Sequence, residues 1–315
     1  MSEEQSAYTA PLPAAKMGGP IRGEMIEIYH GTESVSASKL RTFARRPGGP
    51  QLYYQTYIAK SVEREDTDAL VFGSALHCLV LEGREVFAGQ FAILPPMDRR
   101  TSLGKAQFAA FEAENAGKRI IKADMAVEIE RMAENVKRHP VAAMLLAKGE
   151  PELTWRIQAP GLPHCPPMQC RSDWFCAEGC ELSEGRPYLV DVKTCQTLDE
   201  SEFGNFRRGF ETHKYHNQFA FYASLMDLIG VTLRDVFIIA CEKAAPGGVE
   251  VFKMSERAME QGRSEVARLL LNMDHCYAKN IWPNASLELE EIDLSPRYYS
   301  QAKDELADPM EKLWG

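Results

Sequence analysis

The sequence predicts an α/β fold, a central mixed β-sheet flanked by helices and preceded by a largely helical N-terminal half. Three observations predict it. Residues 24–150 are dominated by apolar spacings of i, i+3, i+4. Residues 151–193 switch to three short runs of β-formers cut by Pro and Gly. Beyond them, helical stretches alternate with two further strand-like runs.

Residues 1–23, with Glu3, Glu4 and several Pro and Gly, read as a disordered arm. Ser36 or Ser38 can cap a short helix through Ala44, which Pro47-Gly48-Gly49-Pro50 stops. From Thr67 onward Phe72, Ala75, Leu76, Leu79 and Val80 stripe one face of a helix. A helix over 105–116 stops at Gly117. Another, marked by Ile129, Met132 and Val136, breaks at His139-Pro140, where Pro140 opens a short helix ending near Gly149. The runs 152–158, 169–177 and 187–193 predict a three-strand antiparallel meander. A helix over 212–229 is closed by Gly230. The continuous apolar run 235–242 suits a strand buried on both faces, and 249–253 adds another after the Pro246-Gly247-Gly248 turn. Val266, Leu269, Leu270, Met273 and Tyr277 stripe a last helix. One domain over 24–285, followed by an acidic tail over 286–315, is the expectation.

With 36 basic and 45 acidic side chains the 315-residue chain carries a net charge of −9, which excludes a protein that coats nucleic acid by bulk charge. The charge is unevenly spread. Residues 36–61 hold Lys39, Arg41, Arg45, Arg46 and Lys60 and no acid, a local +5, whereas 282–315 carries −5. A basic segment therefore remains for phosphate contact, and its Tyr53, Tyr54 and Tyr57 could stack on bases or lie in the core. No stretch of about 18 apolar residues is present to cross a membrane. The N-terminal stretch lacks a signal-peptide core, so the eight cysteines read as reduced thiols in a cytoplasm. Cys165, Cys170, Cys176 and Cys180, with His164, lack a CxxC pair, and structural thiols are the commoner reading over a zinc or iron–sulfur site.

Four motifs can carry chemistry. In Leu189-Val190-Asp191-Val192-Lys193-Thr194 a strand would set Asp191 and Lys193 on one face and Val190 and Val192 in the core. The preceding strand carries Asp173, and antiparallel pairing can bring it opposite or diagonal to Asp191, a pair of hard oxygen ligands for Mg²⁺ or Mn²⁺. Gln218 and Tyr222 share a helix face at i, i+4. His77 lies off its helix's apolar stripe, on the side of Gly73. Taken singly, each has a plainer reading: a solvated Asp–Lys pair, a core tyrosine, a hydrogen-bonded histidine.

Together, Gly73-Ser74-Ala75-Leu76-His77, Arg171-Ser172-Asp173-Trp174, Asp191-Val192-Lys193-Thr194 and Tyr215-His216-Asn217-Gln218-Phe219-Ala220-Phe221-Tyr222 resemble RecE-type exonucleases (exodeoxyribonuclease VIII). These belong to the PD-(D/E)XK nuclease superfamily, with lambda exonuclease. The resemblance implies Asp173 and Asp191 as metal-binding carboxylates, His77 as a further ligand and Val192 as part of the same metal site. Lys193 would orient and activate the attacking water, Gln218 and Tyr222 would support the site, and Glu152 would add another carboxylate. Arg41, Arg45, Arg46, Lys105, Arg171, Thr194 and Lys214 are the expected DNA contacts. The stretch between Asp173 and Asp191, with Cys176, Gly179, Cys180 and Gly185, is long for the family, which a longer hairpin tip absorbs.

The implied activity is Mg²⁺- or Mn²⁺-dependent 5′-to-3′ digestion of linear duplex DNA. It would leave 3′ overhangs for a single-strand annealing partner in phage-type or prophage recombination. The implied assembly is a ring-like homo-oligomer, a trimer or tetramer. The alternatives are a non-catalytic DNA-end binding protein on the same fold, or a related endonuclease or single-strand nuclease of a defence system.

Overall fold

The computed structural model describes residues 17–62, 67–284, 291–294 and 299. Residues 1–16 of the expected arm, and the expected acidic tail apart from 291–294 and Tyr299, lie outside the described residues. Residues 18–21 correct the arm: Gly18–Ile21 is a strand (β1) paired antiparallel to a later one, with Ile21 buried. Two ion pairs pin it, Arg22 to Glu150 and Glu24 to Arg156, the latter at 3.0 Å. Two glycines and a proline in four residues hid it from a propensity reading.

The helical half follows: α1 (Ile26–Gly31), α2 (Ala37–Phe43), α3 (Gly49–Tyr53), α4 (Asp68–His77) and α5 (Arg84–Gln90). Ser36 caps α2 through the Lys39 N–H and Thr67 caps α4 through the Leu70 N–H. Both α3 and α4 run on into a turn of π-helix, Tyr54–Ile58 and Cys78–Glu82. Two four-residue strands, β2 (Phe91–Leu94) and β3 (Arg119–Lys122), pair in parallel, and α6 (Ser102–Glu114) connects them. Then come α7 (Ala123–Arg138) and α8 (Pro140–Leu145), the latter capped by the His139 ring.

The main sheet contains β1, β4 (Glu150–Ile157), β5 (Met168–Cys176), β6 (Tyr188–Cys195), β7 (Asp235–Glu242) and β8 (Val249–Lys253), in that spatial order. The meander β4-β5-β6 is antiparallel as expected, β6 and β7 are parallel, and β8 returns antiparallel. The β6-to-β7 crossover carries α9 (Phe206–Thr212) and α10 (Tyr215–Leu228). The sequence reads as one helix from 212; in the structure Lys214 at φ +54 turns the chain between two. The 24-residue α11 (Glu256–Lys279) ends the fold.

The sheet is sandwiched. On one face Leu153, Trp155, Leu189, Ile238 and Ala240 pack against α10 and α11 (Phe219, Phe221, Leu225, Val266, Met273). On the other, Val190, Val192, Phe237 and Ile239 pack against α4, α7 and α8 (Leu76, Ile129, Val136, Leu145). Strand β7 is buried along seven of its eight residues, which its unbroken apolar run anticipates. Alternation along β6 then puts Leu189 and Asp191 toward α10, and Val190 and Val192 toward α4.

Candidate active site

Strands β5 and β6 pair through Cys176↔Tyr188, Phe175↔Leu189 and Trp174↔Val190, and then part. Asp173 and Asp191 are the next residues, at the mouth of this fork. There Asp173 Oδ2 accepts the Val192 N–H at 3.0 Å, so a carboxylate stands where a neighbouring strand's carbonyl would. On its other side, β5 meets β4 with Pro151↔Trp174 and Leu153↔Ser172, which sets Glu152 opposite Asp173. Glu152 sits at φ +55, a left-handed conformation that costs a non-glycine residue about 1 kcal/mol or more.

His77, the last residue of α4, brings Nδ1 to 3.3 Å from Asp173 Oδ2. Ligand atoms of His77, Glu152 and Asp173 all lie within 4.8 Å of one another. Among the described residues no other group of three His, Cys, Asp or Glu side chains converges in this way, Cys165, Cys170, Cys176 and Cys180 included. The thiol of Cys165 donates instead to the Leu270 carbonyl, and that of Cys176 to the Gly179 carbonyl.

Asp191 stands beside this group, only 3% exposed. Its Oδ1 accepts from Gln218 Nε2 at 3.0 Å, and the Tyr222 hydroxyl lies 3.4 Å from the same amide nitrogen. Its Oδ2 is 2.5 Å from the Lys193 ammonium, an ion-pair contact without hydrogen-bond alignment. Lys193 Nζ also lies 5.2 Å from the centroid of the Tyr215 ring.

Electrostatics follow from crowding. Burial, then the charge of Asp191, raises the Asp173 pKa well above the usual carboxylate range, and Glu152 adds to this. Burial draws the Lys193 pKa down, but Asp191 and Asp173 outweigh it and hold the amine protonated. Burial, aided by Lys193, lowers the pKa of His77 and leaves its imidazole neutral, the form that ligates metals. Glu152, Asp173 and Asp191, with Lys193 and Arg171 as their cations, and a neutral imidazole form an oxygen-rich pocket. Its donors fit a hard divalent cation.

Of the residues expected at the site, Asp173, Asp191, Lys193, His77, Glu152, Gln218 and Tyr222 come together. Val192 takes part through its backbone, its side chain being buried in the core. Thr194, two residues on along β6, is half-buried. Arg171, expected on DNA, is otherwise engaged: its Nε is 2.5 Å from Glu152 Oε2, and its Nη1 donates to the Glu24 carbonyl at 2.8 Å. Arg41, Arg45, Arg46, Lys105 and Lys214 are exposed. Burial, then Arg41 and Lys193, lowers the pKa of His213, which puts Arg41 within electrostatic reach of the site's rim. Tyr53 is core, stacked on Trp282, while Tyr54 and Tyr57 are half-buried. The sequence reading missed the strap that holds Arg171 in place, because Glu24, the first residue of the expected domain, lies 147 residues away from it in sequence.

A family profile for a PDDEXK-like domain of unknown function (DUF3799) matches residues 36–294. The chain belongs to this PDDEXK-like family. The match takes in α2 to α11, including every residue of the cluster above, and carries the chain into the PD-(D/E)XK nuclease superfamily. A crystal structure of a "putative exonuclease" from Eubacterium rectale is similar over 86% of this chain and 94% of that one, with a TM-score of 0.56 and 12% identity. At that identity the likeness speaks for the fold, a mixed sheet between helical layers. A search of curated proteins gives no match. Among the described residues of this PDDEXK-like chain no helix is long and apolar enough to cross a membrane.

Proposed function

We propose that this protein is a metal-dependent exodeoxyribonuclease of the RecE type, digesting linear duplex DNA from 5′ to 3′ and leaving 3′ overhangs. The observation that carries the reading is the convergence of Asp173, Asp191, Lys193, His77 and Glu152 at the fork between β4, β5 and β6, in a chain of the PDDEXK-like family. His77, Glu152 and Asp173 would hold Mg²⁺ or Mn²⁺, with Asp191 and the Val192 backbone beside them. Such a cation supplies Lewis acidity to the scissile phosphate and acidifies an attacking water.

The chain's own groups do the rest. Lys193, kept protonated by two aspartates, acts as a donor to the water and to the charge that develops on phosphate, not as a base. Gln218 fixes the Asp191 carboxylate, and the Tyr222 hydroxyl beside that amide supports its orientation. The exposed Arg41, Arg45, Arg46, Lys105 and Lys214, with Thr194, hold the phosphate backbone. A cytoplasmic setting, a ring-like homo-oligomer of three or four copies and a single-strand annealing partner belong to the same proposal. So does a role in phage or prophage recombination.

The test incubates linear duplex with Mg²⁺ and compares wild type with Lys193→Ala. Wild type is expected to release nucleotides, and the variant to lose at least about 100-fold in rate while still binding DNA. Binding without release by wild type would sink the enzyme reading in favour of a DNA-end binding protein. Linearisation of closed circular duplex would make it an endonuclease.

A further inference from the structure

Gly73 occupies the middle of α4, four residues before His77 and therefore on the same helix face. A glycine inside a helix costs about 1 kcal/mol relative to alanine, so its presence asks for a reason. The described residues provide none. Gly73 is not among the residues with positive φ, and a Cβ built on it meets no atom of the described residues within 4 Å. Elsewhere in the molecule the reason is visible: at Gly104 a Cβ would meet the Asp98 carbonyl, and at Gly262 the His216 carbonyl.

Nor is Gly73 an ordinary exposed position. The α5 glycine with equally empty surroundings among the described residues, Gly89, is exposed, whereas Gly73 is half-buried. Half-buried, yet with open space among the described residues where a Cβ would stand, it lies one helical turn from His77. A cation stands at the same stretch of helix. Lys243 Nζ lies 4.5 Å from the ring centroid of Phe72, the residue before Gly73. Lys243 is held there by its N–H to the Cys195 carbonyl at the end of β6, two residues past Lys193.

We propose that Gly73 is a substrate-clearance position: the DNA strand to be cut passes in van der Waals contact with the α4 backbone at Gly73, between the His77 cluster and the Lys243 ammonium. This rests on the nuclease reading above and deepens it by naming the path of the strand. The missing Cβ leaves room for a sugar-phosphate backbone to approach close enough for its phosphate to reach the cluster. Lys243 neutralises an adjacent phosphate.

The experiment uses full-length protein and the variants Gly73→Ala, Gly73→Leu and Lys243→Gln. Since a Cβ meets none of the described residues, Gly73→Ala is expected to raise the melting temperature. Its Mg²⁺-dependent digestion of linear duplex is expected to fall, and that of Gly73→Leu to fall on the order of 100-fold. Mn²⁺ affinity, measured by calorimetry without DNA, stays at the wild-type value in both. With Ca²⁺ in place of Mg²⁺, Lys243→Gln is expected to weaken duplex binding and lower the salt slope by about one, whereas Gly73→Leu weakens binding without changing that slope. Digestion by Gly73→Leu at the wild-type rate would overturn the proposal and leave the nuclease reading standing. Absence of any digestion by wild type would overturn both.

Discussion

Glu152 shows how much one residue can hold against its local preference. It lies in a strand at φ +55, its carboxylate meets the Arg171 guanidinium at 2.5 Å, and its ligand atom shares a 4.8 Å group with His77 and Asp173. A purely structural counter-ion for Arg171 would not require the left-handed backbone. Strain of this kind persists where the surroundings over-determine it, commonly at functional sites. Glu152→Gln keeps the size and removes the charge. We expect Mn²⁺ binding by the metal-free protein to weaken on the order of 10- to 100-fold, read by titration calorimetry. Unchanged affinity would take Glu152 out of the ligand set and leave it as the partner of Arg171.

At the scale of elements, α10 must be held rigidly because Gln218 on it is the hydrogen-bonded support of Asp191. The support comes from α11, which lies so close that a Cβ on Gly262 would stand 2.5 Å from the His216 carbonyl oxygen and 2.8 Å from Ala220 Cβ. Both of those atoms are on α10, and one is backbone, so the neighbour cannot simply rotate away. Gly262→Ala is therefore expected to push the helices apart and cost about 1–3 kcal/mol, seen as a lower melting temperature. Turnover should fall as well, because Gln218 moves with its helix. A variant with unaltered melting temperature would mean that α11 slides freely over α10. The contrast with Gly73 is physical: one glycine admits a helix of the same chain, the other has open space beside it among the described residues.

Over the whole molecule, what was legible in the sequence was what depends on neighbours in the chain. Strand β7 follows from Val236-Phe237-Ile238-Ile239, and the Asp191/Lys193 face follows from alternation along β6. The nearness of Asp173 to Asp191 follows from antiparallel pairing of neighbouring strands, and His77 is joined to them in the sequence only by the family resemblance. The strap from Glu24 to Arg171 depends on a pairing between distant segments, which no local pattern encodes. The basic segment 36–61 makes the same point. Four of its five cations are exposed, but Lys39 is buried, its ammonium donating to the Thr32 and Ser34 carbonyls at 2.8 Å each. Burial lowers its pKa from 10.5 to about 8. The sign of the consequence is fixed. Between pH 8 and 10.5 the unfolded chain keeps a proton on Lys39 that the folded chain has released, so stability rises with pH across that window. The rise is about 3 kcal/mol at most, and the two carbonyl bonds, which favour the ammonium, reduce it. Lys39→Met shifts overall stability by leaving those carbonyls unpaired, but it removes this pH-dependent part. Urea unfolding of both proteins between pH 7.5 and 10 should therefore give two lines of different slope, the wild type gaining on the variant as pH rises. Parallel lines would mean that Lys39 stays protonated in the fold throughout, and that its two carbonyls fully offset the cost of burying the charge.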